Sequence, residues 1–239
     1  EREEWSAWRN KRASAVVPFA HDRHREGQKA LADEAYEAME QSKQLLLSAP
    51  TGTGKTAAVL HGVLRSASRR GLRVFYATAK GTQREMVERT LGQMVPRGLP
   101  IRAVSLTARE KMCLNEIVDC RAEACRFAEG HYDRMAEGDV ARQAWKASVL
   151  STEEVLGVGE AQRVCPHALG SELASGADLV IGDYNYAFDP KMKASWLSEE
   201  RRNWIVVVDE AHNLVERARG YGSPKIEAQL AHEAEYWLA

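Results

Sequence analysis

Eight residues, Ala49-Pro50-Thr51-Gly52-Thr53-Gly54-Lys55-Thr56, constrain what this chain can fold into more than any other feature. They stand between the apolar run Gln44-Leu45-Leu46-Leu47-Ser48-Ala49 and a helical stretch from about Lys55 to Arg69. That strand, loop and helix order is the setting a phosphate-binding loop requires. Gly52 and Gly54 let backbone N–H groups turn toward a β-phosphate, and the helix N-terminus adds partial positive charge. Lys55 would reach the β- and γ-phosphates, and the Thr56 hydroxyl would ligate Mg²⁺. Ala49, Pro50, Thr51 and Thr53 complete the loop, with Ala where the pattern usually opens on Gly. An incidental lysine in a Gly-rich turn would not bring both flanking elements with it.

The rest of the chain continues the same rhythm. Apolar spacing predicts a helix over about Gly27 to Gln41, with Ala30, Leu31, Ala35, Ala38 and Met39 on one face. The run Gln44–Ala49 reads as a strand buried on both faces. Leu72–Thr78 reads as a second strand, Gln83–Met94 as a helix and Ile101–Leu106 as a third strand. Strands alternating with helices imply βαβ units, an α/β fold and a parallel sheet. Between Thr107 and Gly176 the rhythm stops, so this stretch reads as an insertion, with a helix starting at the capping box Ser151-Thr152-Glu153-Glu154. The sheet pattern resumes at Asp178–Asp183 and Trp204–Asp209. Residues 1–28 read as a polar, Arg-rich peripheral arm.

The second chemical motif is Val206-Val207-Val208-Asp209-Glu210-Ala211-His212, an apolar strand ending in two carboxylates. Asp209 is placed to hold Mg²⁺ through water, and Glu210 to orient or deprotonate the attacking water. Acidic residues also favour helix starts, but with the phosphate loop upstream the motif points to nucleoside triphosphate binding and hydrolysis, in which Lys55, Asp209, Glu210 and His212 are the catalytic candidates.

Cys113, Cys120, Cys125 and Cys165 all fall in the insertion, spaced C-x6-C-x4-C-x39-C. The absence of a C-x2-C pair lowers zinc. Four thiolates suit a 4Fe-4S cluster, and Pro166 follows the last of them. Spacing alone leaves cluster, zinc and unrelated buried thiols open.

The Asp-Glu-Ala-His sequence, the separation of 154 positions from Lys55 to Asp209, and the cysteines lying in that interval together resemble the XPD/DinG family of superfamily-two DNA helicases. Arg109-Glu110-Lys111-Met112-Cys113 is similar to that family's entry to its first cysteine. Cys165-Pro166-His167 resembles its Cys-Pro-aromatic segment, with His167 where Tyr is usual. Ala177–Pro190 resembles its next strand and loop. The resemblance implies a RecA-like P-loop sheet flanked by helices with a mainly helical insertion holding a 4Fe-4S cluster. It further implies ATP and Mg²⁺ as cofactors, single-stranded or forked DNA as partner, and 5′ to 3′ polarity.

It also suggests roles for weaker motifs. Arg25 and Gln28 resemble an adenine-recognising Q-motif, although a solvated helix start would look similar. Thr78, Lys80 and Gln83 resemble a segment that grips the DNA backbone, against an ordinary helix cap. Arg109 is a further DNA candidate, while Tyr184 and Tyr186 could either stack on bases or pack in a core.

The implied organisation is 1–106 as the first part of the RecA-like domain with its arm, 107–176 as the cluster insertion, 177–223 as the remainder, and 224–239 as the start of a helical arch. The chain ends 27 residues after His212, so a second RecA-like domain, which supplies arginine fingers in the resembled family, is expected elsewhere. The isolated chain should then hydrolyse ATP slowly and not unwind duplex. A net charge of −1 offers no global basic field, so any DNA grip must be local. No apolar run approaches the roughly 18 residues of a membrane helix, and no signal pattern opens the chain. An intracellular setting, cytoplasmic (nucleoid) or nuclear, is expected. Two alternatives stand beside the helicase reading: a helicase-like ATPase switch, and a zinc-stabilised nucleic-acid-binding module.

Overall fold

A computed structural model describes residues 2–50, 52–192, 194–199 and 201–223. Thr51 of the expected phosphate loop and the expected arch segment 224–239 lie outside the described residues. The elements run α1 (Arg2–Ser14), α2 (Gln28–Glu40), α3 (Lys55–Arg70), β1 (Arg73–Thr78), α4 (Gly81–Met94), β2 (Ala103–Ser105), α5 (Arg109–Met112), α6 (His131–Glu137), α7 (Val140–Ala144), β3 (Val149–Leu150), α8 (Thr152–Ala161), α9 (Pro166–Gly176), β4 (Leu179–Asp183), α10 (Asn185–Phe188), α11 (Ser195–Glu199), β5 (Trp204–Val208) and α12 (His212–Gly222).

Among the described residues five strands form one parallel sheet in the order β3-β2-β4-β1-β5. This is the expected α/β fold: a parallel sheet flanked by helices. Period-two alternation divides the core into two layers. Val74, Tyr76, Leu179 and Ile181 join Leu60, Leu64, Leu91 and Met94 on one face. Phe75, Ala77 and Val180 join Leu150, Leu169, Leu173 and Tyr184 on the other. Helices α2 and α3 cross closely at Gly62, where a Cβ would stand 2.2 Å from the carbonyl oxygen of Ala32.

Three expectations change. Gln44–Ala49 is not a strand. Leu46 is 88% exposed, and the segment lies across a groove of about 870 Å³ from β5, whose Val206 is 43% exposed. Apolarity marked the segment for burial, but without a hydrogen-bonded neighbour it makes no ladder. The N-terminal arm is also more than peripheral. Its residues 2–14 form α1, and Arg12, only 5% exposed, donates to Asp178 Oδ1 at 2.7 Å and to the Leu72 carbonyl. Trp8 Nε1 donates to Asp178 Oδ2 at 3.0 Å, and the Arg102 backbone N–H donates to the same oxygen at 2.9 Å. Finally, the stretch 107–176 adds β3 to the sheet edge and lays α9 over its second face. Its helix α8 begins at the expected capping box, Ser151 accepting from Glu154 N while Glu154 accepts from Ser151 N.

Candidate nucleotide site and cysteine pocket

The ends of β1 and β5, the turn after β5 and the start of α3 converge on the groove described above, whose lining includes Lys55, Tyr76, Asp209, Glu210 and His212. The structure thus brings together the two motifs that lie 154 residues apart, at the carboxyl ends of parallel strands, where open α/β sheets bind ligands.

The loop is held by its own backbone. Gly52 and Gly54 take φ of +83° and +80°, and Gly54 caps α3. Lys55 Nζ donates to the carbonyls of Ala49 (2.6 Å) and Pro50 (3.1 Å), while Thr53 Oγ1 donates to Pro50 O at 2.8 Å. Gln28, 2% exposed, uses both ends of its amide. Oε1 accepts from Arg25 N at 2.7 Å, and Nε2 donates to Gly54 O at 3.2 Å. Arg25 Nη1 reaches the Gly52 carbonyl at 2.7 Å. Both residues therefore brace the loop in this structure. A Cβ on Gly54 would stand 1.9 Å from Gln28 Nε2, in a left-handed backbone region that disfavours side chains. Gly54→Ala is expected to destabilise the chain by more than about 1 kcal/mol. It should also weaken nucleotide binding at least about tenfold, the factor that about 1.4 kcal/mol of displaced loop geometry represents. Thermal unfolding and fluorescent-nucleotide titration check both.

Asp209 extends the β5 ladder, its N–H donating to Ala77 O at 2.9 Å. Burial first, and the Glu210 carboxylate second, push its carboxyl above the ordinary aspartate value, while Lys55 opposes. Glu210 sits at φ +49°, a left-handed conformation uncommon for a non-glycine residue and one that clusters at functional sites. Its carbonyl accepts from Tyr184 OH (3.1 Å), Asn213 N (2.9 Å) and Asn213 Nδ2 (3.1 Å), which holds the turn. Its carboxylate lies 3.4 Å from His212 Nδ1. Tyr184 OH also donates to the Asp209 carbonyl, and burial pushes that phenol up to about 12. Tyr76, which is buried and lines the same groove, is likewise raised by burial.

Several DNA-contact candidates lie elsewhere than the motifs suggested. Tyr184 is fully buried, which leaves its ring no face for a base, so it supports the carboxylate turn instead. Tyr186 is half-buried with its hydroxyl on the Thr107 carbonyl at 3.2 Å. Thr78 is 4% exposed and its hydroxyl faces the Gly182 carbonyl. Gln83 caps α4 by accepting from Ala79 N and Lys80 N, both at 2.9 Å. Lys80 and Arg109 are exposed. Sequence reasoning did not single out Tyr76 or Asn213. An aromatic among strand residues reads as core, and Asn213 carried no signal beyond following the motif.

The four cysteines line one cavity of about 40 Å³, together with Met112, Phe127 and His167, and none is in a disulfide. Asn115 Nδ2 donates to Cys125 Sγ at 3.2 Å. Burial first, then Arg109, lowers His167 below the ordinary histidine value. Among the described residues no three His, Cys, Asp or Glu side chains are gathered closely enough to hold a metal ion, and no helix is long and apolar enough to cross a membrane.

Over 251 residues the chain is 24% identical to the "Regulator of telomere elongation helicase 1 homolog" of Caenorhabditis briggsae, covering 87% of this chain and 25% of that protein. It is 27% identical over 217 residues to the "General transcription and DNA repair factor IIH helicase subunit XPD" of Arabidopsis thaliana, covering 74% and 28%. The chain thus spans about a quarter of the length of these relatives. A solved "XPD_Helicase" superposes with a TM-score of 0.60 at 19% identity over 82% of this chain and 34% of that one, which speaks for a shared fold. The DEAD_2 family matches residues 78–230, from the end of β1 past the carboxylate turn, and the chain belongs to that family.

Proposed function

We propose that this chain is the nucleotide-binding motor portion of an ATP-dependent DNA helicase. The observation that carries the reading is the meeting of Lys55 with Asp209 and Glu210 in one groove at the carboxyl end of a parallel sheet. The names of the relatives, helicases of telomeres and of DNA repair, support DNA as the partner and a place in the cell where DNA is.

Mg²⁺ would be held by Thr56 and Asp209 and would neutralise developing phosphate charge. Lys55 leaves the carbonyls of Ala49 and Pro50 for the β- and γ-phosphates. Gln28 and Arg25 brace the loop through the carbonyls of Gly54 and Gly52, and by resemblance to the Q-motif they would recognise adenine. Glu210, held by its turn, orients the attacking water and accepts its proton, and His212 beside it steadies the carboxylate. By resemblance, a second RecA-like domain supplies arginine fingers, and translocation runs 5′ to 3′ on single-stranded DNA. Lys80 and Arg109 are the exposed candidates for its backbone.

The reading of the four cysteines as 4Fe-4S ligands is supported by their donor chemistry. All four line one cavity without a disulfide. A single zinc ion would draw its thiolates to about 2.3 Å from one point, whereas a four-iron cluster keeps its ligands further apart. Such a group would tie the folding of residues 107–176 to metal binding.

One preparation tests the proposal. Anaerobically purified chain should contain iron and sulfide, show the visible absorption of iron–thiolate charge transfer, and bind ATP with Mg²⁺. Cys113→Ser should lose the iron and keep ATP binding. Zinc in place of iron would favour the nucleic-acid-binding module. Nucleotide binding without strand separation in the full-length protein would favour the switch.

A further inference from the structure

Helix α6 is set between the third and fourth cysteines. His131, its first residue, is 4% exposed. Its Nδ1 accepts the backbone N–H of Cys165 at 3.2 Å, so the ring proton sits on Nε2, which is buried without a partner among the described residues. One turn on, Arg134 Nε donates to the Arg163 carbonyl at 2.8 Å. Its Nη2 donates to the carbonyl of Arg126 at 3.1 Å and to that of Glu129. Those two carbonyls belong to the turn that begins at Cys125, whose own carbonyl accepts from Ala128 N and Glu129 N, each at 2.9 Å. Arg163 stands at φ +54°, a left-handed kink just ahead of Cys165.

These contacts all join a side chain of α6 to the main chain near a cysteine. An apolar residue of similar size would fill the place of His131 without burying an orphan N–H, which is costly. What histidine adds there is the acceptor at Nδ1, and that acceptor is spent on Cys165. The kink at Arg163 is itself a conformation that persists only where its surroundings fix it, and Arg134 supplies the fixing bond.

We infer that His131 and Arg134 are positioning residues for the cysteine set, clamping the segment that carries Cys165 onto the turn that carries Cys125 before any metal arrives. The inference rests on the reading of the four cysteines as ligands. Groups behind the ligands of a metal centre commonly change metal affinity by about 10–100-fold when removed, and this clamp acts by the same logic through the backbone.

The test compares His131→Leu, which removes the acceptor, with His131→Asn, whose Oδ1 can stand where Nδ1 stood. Two readouts are taken on the whole chain. In the metal-free chain, amide exchange at Cys165 should quicken about tenfold in His131→Leu, the equivalent of one lost hydrogen bond, and stay near wild type in His131→Asn. In the metal-loaded chain, iron should be lost to a chelator at least about tenfold faster in His131→Leu and at a near wild-type rate in His131→Asn. Far-ultraviolet circular dichroism confirms that both variants fold, and if His131→Leu does not, Arg134→Met, which frees the Arg163, Arg126 and Glu129 carbonyls, replaces it in the iron-loss measurement with the same acceleration of about tenfold expected. Unchanged exchange at Cys165 overturns the clamp. Altered exchange with unaltered iron retention overturns its role toward the metal. A wild-type chain that takes up no iron at all overturns the ligand reading, and the exchange measurement then still judges the clamp.

Discussion

Glu210→Gln is expected to leave ATP and Mg²⁺ binding close to wild type while slowing hydrolysis by about 10²–10⁴-fold, the range associated with removing a general base. The substitution keeps the side chain's size and its hydrogen-bonding reach. It also leaves untouched the three donors that hold the Glu210 carbonyl, Tyr184 OH, Asn213 N and Asn213 Nδ2. The turn at φ +49° should therefore persist. Only the basicity at the carboxylate is lost. Single-turnover hydrolysis with the chain in excess over radiolabelled ATP, beside equilibrium binding of a non-hydrolysable analogue, separates the two effects. Equal losses in binding and rate would mean that Glu210 is a structural acid of the turn and that the base lies elsewhere.

Asp178→Ala is expected to be the most damaging change to stability, at about 3–5 kcal/mol, because it strands a buried guanidinium. Arg12 and Asp178 are each 6% exposed at the side chain and 2.7 Å apart. Asp178 also receives Trp8 Nε1 and Arg102 N, so one carboxylate ties α1 to the entry of β4 and to the segment before β2. For a chain of this length the loss corresponds to a fall of about 6–20 °C in Tm, at about 2–4 °C per kcal/mol. The double variant Arg12→Met with Asp178→Leu should recover most of it, since replacing both charges by apolar groups removes the uncompensated ion. The pair Arg65–Asp33, with side chains 35% and 46% exposed, is the control. Breaking it should cost less than about 1 kcal/mol. Equal losses at the two pairs would refute the burial argument.

The contrast between these two sites also explains what could be read from the sequence. The phosphate loop and the carboxylate turn were legible because their chemistry requires fixed residue types at fixed spacing between a strand and a helix. Helix α2 was legible from apolar periodicity, and α3 and α4 from the alternation of strands and helices, each to within two residues of its observed ends. The Arg12–Asp178 pair was not, since charged residues are normally solvated and nothing local says that two of them 166 positions apart will meet in the interior. Gln44–Ala49 failed for the opposite reason. Its leucines announce burial, but a strand exists only where a neighbour accepts its backbone bonds. Tyr184 was ambiguous in sequence because an aromatic beside a carboxylate turn serves equally as a stacking platform or as a brace. Its surroundings decided for the brace. The two-residue strand β3 is shorter than any periodic signal.

The covering of the second sheet face by α9 has a consequence for how this architecture can be altered. Leu169, Leu173 and Ala174 share a core with Phe75, Val104 and Val180 of the strands. Stretch 107–176 is thus no detachable cassette. Excising it and rejoining the flanks would strip the sheet of one wall, and transplanting it alone would carry off a face with nothing to lie against. A designer wishing to exchange the cysteine-bearing part would have to cut inside it, swapping the excursion from α5 to α7 with Cys113, Cys120 and Cys125 while Cys165 stays with the sheet at the start of α9.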